Sequence, residues 1–96
     1  MIYEKKLNSL ADIDRELSIL DIDAGIRAVG KYKAKRCFVF VTRSANGFTS
    51  LVYSIKTLKK EALPDKRILA KEFSDLKSTE EFLAQIVVKP VKASAY

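Results

Sequence analysis

An Asn-Gly pair set between two apolar runs constrains this chain more than any other feature. Arg36 to Arg43 reads Arg-Cys-Phe-Val-Phe-Val-Thr-Arg, and Phe48 to Leu58 reads Phe-Thr-Ser-Leu-Val-Tyr-Ser-Ile-Lys-Thr-Leu. Both runs are rich in β-branched and aromatic residues. Asn46-Gly47 between them is the strongest short-range signal for a β-hairpin. A two-residue loop at Asn46-Gly47 sets Ala45 against Phe48, Thr42 against Leu51, Phe40 against Tyr53 and Phe38 against Ile55. One face then gathers Phe38, Phe40, Leu51, Tyr53 and Ile55, and it is expected to be the buried one. The other face carries Arg43, Cys37 and Lys56 around a patch of Val39, Val41 and Val52.

The segments on either side are read by their periodicity. Leu7, Leu10, Ile13, Leu17 and Leu20 recur every three or four residues, the apolar stripe of an amphipathic helix. Ser9 and Asp12 give it a capping box, with acids at 12, 14 and 16 placed for the helix dipole. Its expected destination is the aromatic face of the hairpin. Ile2 to Leu7 reads as a short strand or an extended arm. Asp21 or Asp23 starts a second short helix over Ile22, Ile26 and Val29, ended by Gly30. A helix-turn-helix is disfavoured there, because Asp21 and Asp23 would lead the second helix towards phosphate.

Leu63-Pro64-Asp65-Lys66 reads as a turn, and Arg67 to Phe73 as a third strand. Ser78 or Thr79 then caps a helix bearing Phe82, Leu83, Ile86 and Val87. The expected fold is α+β in two layers, a three-stranded antiparallel meander with an N-terminal helix (or two) and a C-terminal helix. Residues 1–90 form the single domain, and residues 91–96 read as a tail.

Helix, three strands, helix is also the order of double-stranded-RNA-binding domains. Those domains hold a glycine- and lysine-rich loop where this chain has Asp75-Leu76-Lys77-Ser78-Thr79-Glu80-Glu81, so the resemblance is one of order alone. The join from Ala70-Lys-Glu-Phe to Ser78-Thr-Glu-Glu-Phe-Leu-Ala resembles the strand-to-helix join of the three-stranded DNA readers of phage integrases. Many unrelated proteins share such a join, and no family is assigned.

Several chemistries are excluded by residue type. The chain has 96 residues, one cysteine and no histidine. That leaves no Ser-His-Asp arrangement, no imidazole metal site and no paired-cysteine zinc site. Gly25, Gly30 and Gly47 compose no phosphate-binding glycine motif. Cys37 lies inside an apolar strand and reads as packing. No catalytic residue, metal or cofactor is expected, and the chain reads as a non-enzyme. With no signal-peptide core and no membrane-length apolar run, a cytoplasmic monomer or homodimer is expected.

Charge supplies the functional hint. The formal net charge is +6. Residues 1–30 hold four basic and six acidic residues, and residues 31–96 hold fourteen and six. Lys31-Tyr-Lys-Ala-Lys-Arg36 is the densest basic cluster. A nucleic-acid-binding module would draw on Lys31, Tyr32, Lys33, Lys35, Arg36, Arg43, Lys56, Lys59, Lys60 and Arg67, with Tyr32 placed to stack on a base. The alternative is a protein-binding regulator or inhibitor of a larger machine, using Val39, Val41 and Val52 as an apolar patch. Small chains of this kind are common among phage and mobile-element accessory proteins.

Overall fold

The computed structural model describes residues 5–96. In chain order the elements are β1 (Lys5–Leu7), α1 (Leu10–Ile19), β2 (Gly25–Tyr32), β3 (Lys35–Ser44), β4 (Gly47–Leu58), β5 (Glu61–Phe73), α2 (Leu76–Ile86) and β6 (Ala93–Ala95). The strands form one six-stranded antiparallel sheet in the order β1-β6-β2-β3-β4-β5. Both helices lie on one face of it. The fold is α+β, with a sheet twice as wide as the expected meander. Of the element expected over Ile2 to Leu7, the part before Lys5 lies outside the described residues.

Two expected elements are corrected. Residues 25–32 form a strand, not a second helix. Ile26, Ala28 and Gly30 turn to one face while Arg27, Val29 and Lys31 turn to the other, which is the period of two. Spacings that also suit a helix are overridden here by ladder partners on both sides, β3 and β6. Residues 93–95 are likewise no tail. They pair with both β1 and β2, and the ladder runs on through reciprocal bonds between Gly25 and Tyr96. Ala93 and Ala95 bury little area each, yet Ala95 belongs to the core.

The hairpin at Asn46-Gly47 forms with a different loop. Ala45 and Asn46 make the turn, Ser44 faces Gly47, and Phe40 faces Leu51. The register therefore moves by two residues, and every side chain keeps its face. Asn46 is not at positive φ, whereas Gly47 is, at 150°. A Cβ at Gly47 would strike the Phe73 carbonyl oxygen. Positive φ at both loop residues, as a type I′ turn needs, occurs instead at Lys33-Ala34 and Lys59-Lys60.

The core lies on the opposite face from the one expected. Val39, Val41 and Val52 are almost wholly buried, together with Ile26, Ala28, Cys37 and Phe48. Ile13 and Leu17 of α1 and Leu83 and Ile86 of α2 cover them. Each such aliphatic side chain contributes about 1.5–3 kcal/mol on burial. Small residues favour this face because helices can approach it closely. Helix α2 comes close at Gly30, where a Cβ would lie 2.8 Å from the Ile86 carbonyl oxygen and 2.9 Å from Val39. Phe38, Phe40, Leu51, Tyr53 and Ile55 are only half-buried, with no helix of the described residues over them.

Both helices are capped by side chains. Ser9 accepts from the Asp12 backbone N–H at 3.1 Å, as expected. The second helix begins earlier than expected, because Asp75 is its cap and accepts from the Ser78 N–H at 2.7 Å. The expected turn at residues 63–66 lies inside β5. Pro64 is tolerated because β5 is an edge strand. Register shifts between Val52 and Ile55 mark a bulge in the β4–β5 ladder. There the Ser54 hydroxyl accepts from the Lys66 N–H at 3.0 Å and donates to the Lys66 carbonyl.

Candidate nucleic-acid interface

The face without helices is built from alternate residues of the four long strands. Arg27, Val29 and Lys31 come from β2, and Arg36, Phe38, Phe40 and Thr42 from β3. Leu51 and Tyr53 of β4 and Arg67 and Ala70 of β5 complete it. Its centre is aromatic. Phe40 and Tyr53 meet edge-on with centroids 5.6 Å apart, and Phe38 lies tilted to Phe40 at 6.4 Å. Basic residues surround that centre, including Lys6 across from Ser94 and Arg67 across from Tyr53.

Lys31 and Arg36 face each other directly across the β2–β3 ladder, and both are exposed. Like charges in that position repel and destabilise the pair. A phosphate between them would remove the repulsion. Among the described residues of the expected basic segment, these two are the cations brought face to face on the open side of the sheet.

The remaining expected residues are placed unevenly. Lys35 is exposed but alternates to the helix side with Cys37. Tyr32 packs against the edge of the core, with the Lys33 ammonium 5.5 Å from its ring centre, so it is not a free stacking platform. Arg43 is also engaged. Its guanidinium donates to the Leu20 carbonyl at 3.2 Å and lies 5.5 Å from the Phe48 ring centre, tying down the end of α1. Lys56, Lys59 and Lys60 are exposed along the outer β4–β5 arm. Val39, Val41 and Val52 are core residues, so the expected apolar docking patch does not exist.

Sequence reasoning missed Phe38, Phe40 and Tyr53 as surface groups, and it missed Lys6, Arg27 and Lys92. The signal lay in side-chain volume. Valines aligned with Cys37, Ala28 and Gly30 mark a face that helices can approach closely, and the bulkier face was left over.

The bulge gives the site depth. β1 and β5 lie at opposite margins of the sheet, about 24 Å apart at ~4.8 Å per strand. Yet Lys6 of β1 and Glu61 to Pro64 of β5 line a single cleft of about 860 Å³, floored by Val29, Phe38 and Phe40. The outer arm of β4 and β5 therefore bends over the open face, as a bulge allows. Pro64 and Phe40 also line a second cleft of about 420 Å³, with Thr42, Leu51, Tyr53, Tyr96 and the Asp65 carboxylate. Those two residues form the divide between the clefts.

Charge separates between the layers. Residues 25–73, the four long strands, carry twelve basic and three acidic residues. Asp12, Asp14, Glu16, Asp21, Asp23, Asp75, Glu80 and Glu81 belong to the helices and the loops that cap them. Asn8 donates its backbone N–H to Asp12 and lowers that carboxyl's pKa. Burial pushes the Cys37 thiol above its ordinary range, with the Gly30 N–H opposing, so it is a poor nucleophile. No helix among the described residues is long and apolar enough to cross a membrane. Compared with protein families, curated proteins and solved structures, the chain matches none.

Proposed function

We propose that this protein is a non-enzymatic nucleic-acid-binding module that uses its helix-free sheet face. The observation that carries this reading is the arrangement of that face. Phe38, Phe40 and Tyr53 form its centre, basic side chains surround them, and the acidic helices lie on the far side of the sheet. Aromatic rings offer stacking to bases of any identity, and the surrounding cations hold the phosphates. Lys6, Arg27, Lys31, Arg36 and Arg67 outnumber Glu61, Asp65 and Glu72 on this face, and a net positive field orients the approach of a polyanion. The directly opposed pair Lys31 and Arg36 supports an anionic partner in particular. The lone, buried Cys37 suits action in a reducing cytoplasm, in an accessory role with no chemistry of its own.

The test is a fluorescence-anisotropy titration of labelled DNA and RNA. The double variant Lys31→Glu, Arg36→Glu should lose most of the binding and remain folded, because both side chains are exposed. Wild-type binding weaker than about 100 μM at low salt would fall below ordinary non-specific affinity and end this reading.

A further inference from the structure

The larger cleft under the β4–β5 arm has the composition of a site for a single nucleotide. Val29, Phe38 and Phe40 form its floor, and Ala62, Leu63 and Pro64 form an apolar wall that ends at the Glu61 carboxylate. Its opposite side carries Lys6, Arg27 and Lys92. Ser94 stands opposite both Lys6 and Arg27 in successive ladders, so these two cations flank one small hydroxyl residue on the same face. They are about 10 Å apart across two strand spacings. Lys92 joins them through its carbonyl, which accepts from the Val29 N–H at 3.0 Å. The cleft thus has a mainly apolar side, with Glu61 at its end, and a cationic side.

A base inside a duplex has both of its faces covered by neighbours and its pairing edge engaged. It cannot lie against Phe38 beneath an overhanging arm. An unpaired base can. We propose that this cleft takes one unpaired nucleotide, base against Phe38 and Val29, phosphate beside Lys6 and Lys92, so that the protein selects single strands over duplex. This rests on the reading of the open face as a nucleic-acid interface.

The experiment compares the full chain on labelled oligo-dT, oligo-U and a hairpin duplex with the same number of phosphates, at one salt concentration. The expected result is a single-strand preference of about tenfold or more, the scale of one base–aromatic stack. Leu63→Asp places a carboxylate on the cleft wall. It should abolish most of that preference, weakening single-strand binding by clearly more than duplex binding. Circular dichroism checks that the variant folds, and Lys92→Gln serves as a second, milder probe, expected to weaken single-strand binding more than duplex binding. Equal affinity for both forms, or equal weakening of both by Leu63→Asp and by Lys92→Gln, would overturn the cleft assignment and leave the open-face reading intact. No binding to any of the three would overturn both. Displacement by polyglutamate as readily as by oligo-dT would also overturn both, in favour of an acidic protein partner.

Discussion

Phe40 lies directly across from Leu51 and meets the ring of Tyr53 edge-on, 5.6 Å between centroids, on the face opposite α1 and α2. The ring is half-buried, so its loss should cost less than the ~3–5 kcal/mol typical of a fully buried phenylalanine. Phe40→Leu keeps most of the apolar contact and removes the aromatic surface. It should leave the urea midpoint nearly unchanged and weaken oligo-dT binding by about 1–3 kcal/mol. A binding constant unchanged in this variant would remove Phe40 from the interface.

The helix-covered face predicts a contrast between neighbours in β4. Val52 is wholly buried, opposite Val39. Val52→Ala should destabilise the fold by about 1.5–2 kcal/mol, from ~0.8 kcal/mol per buried methyl-sized group. Ser50 is just as buried, and its hydroxyl has no hydrogen-bond partner among the described residues. Ser50→Ala removes an unsatisfied polar group. It should leave stability unchanged or raise it by about 1 kcal/mol. Urea unfolding of the two variants checks both signs.

How far these features were legible in the sequence depends on which physical signal carried them. Ser9, with the Leu10, Ile13, Leu17 stripe, specified α1 because cap and periodicity agreed. Asn46-Gly47 located a hairpin but not its loop. Gly47 is needed for its positive φ and its close approach to Phe73, rather than for a type I′ turn. The hairpins closed by Lys33-Ala34 and Lys59-Lys60 put ordinary residues at positive φ, so no turn chemistry announced them. Without the first of these, β2 stood alone and its apolar residues fitted a helix as well. The choice of buried face required knowing which side the helices take, and that is decided by contacts distant in sequence. The basic side chains of the site were readable as charge. Their division between the open face, the core edge and the arm was not.

Asp75 links helix capping to pH. The Ser78 backbone N–H bonds its carboxylate first of all, which holds the folded pKa below the ordinary 3.8. A carboxyl with a lowered folded pKa stabilises the fold above its unfolded pKa, and that contribution is lost as pH falls through the folded value. Asp75→Ala should therefore lower the Tm at neutral pH, and the gap to wild type should close on acidification below about pH 4. Asp14 runs the other way, since burial raises its pKa. The difference between variant and wild type is accordingly the quantity to follow, by thermal melts across the acid range. A gap that does not narrow would mean the cap acts without its charge.

Cys37 should behave as a core residue. It is fully buried beside Gly30, opposite Ser54, and burial raises its thiol pKa. The thiolate is the reactive form. A colorimetric thiol reagent should react with the native protein far more slowly than with the urea-unfolded chain. Rapid native labelling would show that α2 lifts from β2 on the timescale of the assay.

The salt dependence of binding should count the phosphates that the open face holds. Lys31 with Arg36 and Lys6 with Lys92 lie at separate places on that face, and Lys59 and Lys60 at the arm tip add exposed charge. If these groups neutralise about four phosphates, counterion release gives a log–log slope near −2.8 on a single strand, from ~0.7 per phosphate. Lys31→Gln with Arg36→Gln should make the slope shallower by about one phosphate or more, without changing the contribution of stacking. Phe40→Leu should do the reverse, lowering affinity at every salt concentration and leaving the slope as it was. Stacking is insensitive to counterions, whereas phosphate contacts are not, so the two variants must separate if both kinds of contact exist. Anisotropy titrations at four or more salt concentrations measure both. Identical slopes for wild type and the double glutamine variant would show that the phosphates lie elsewhere on the protein.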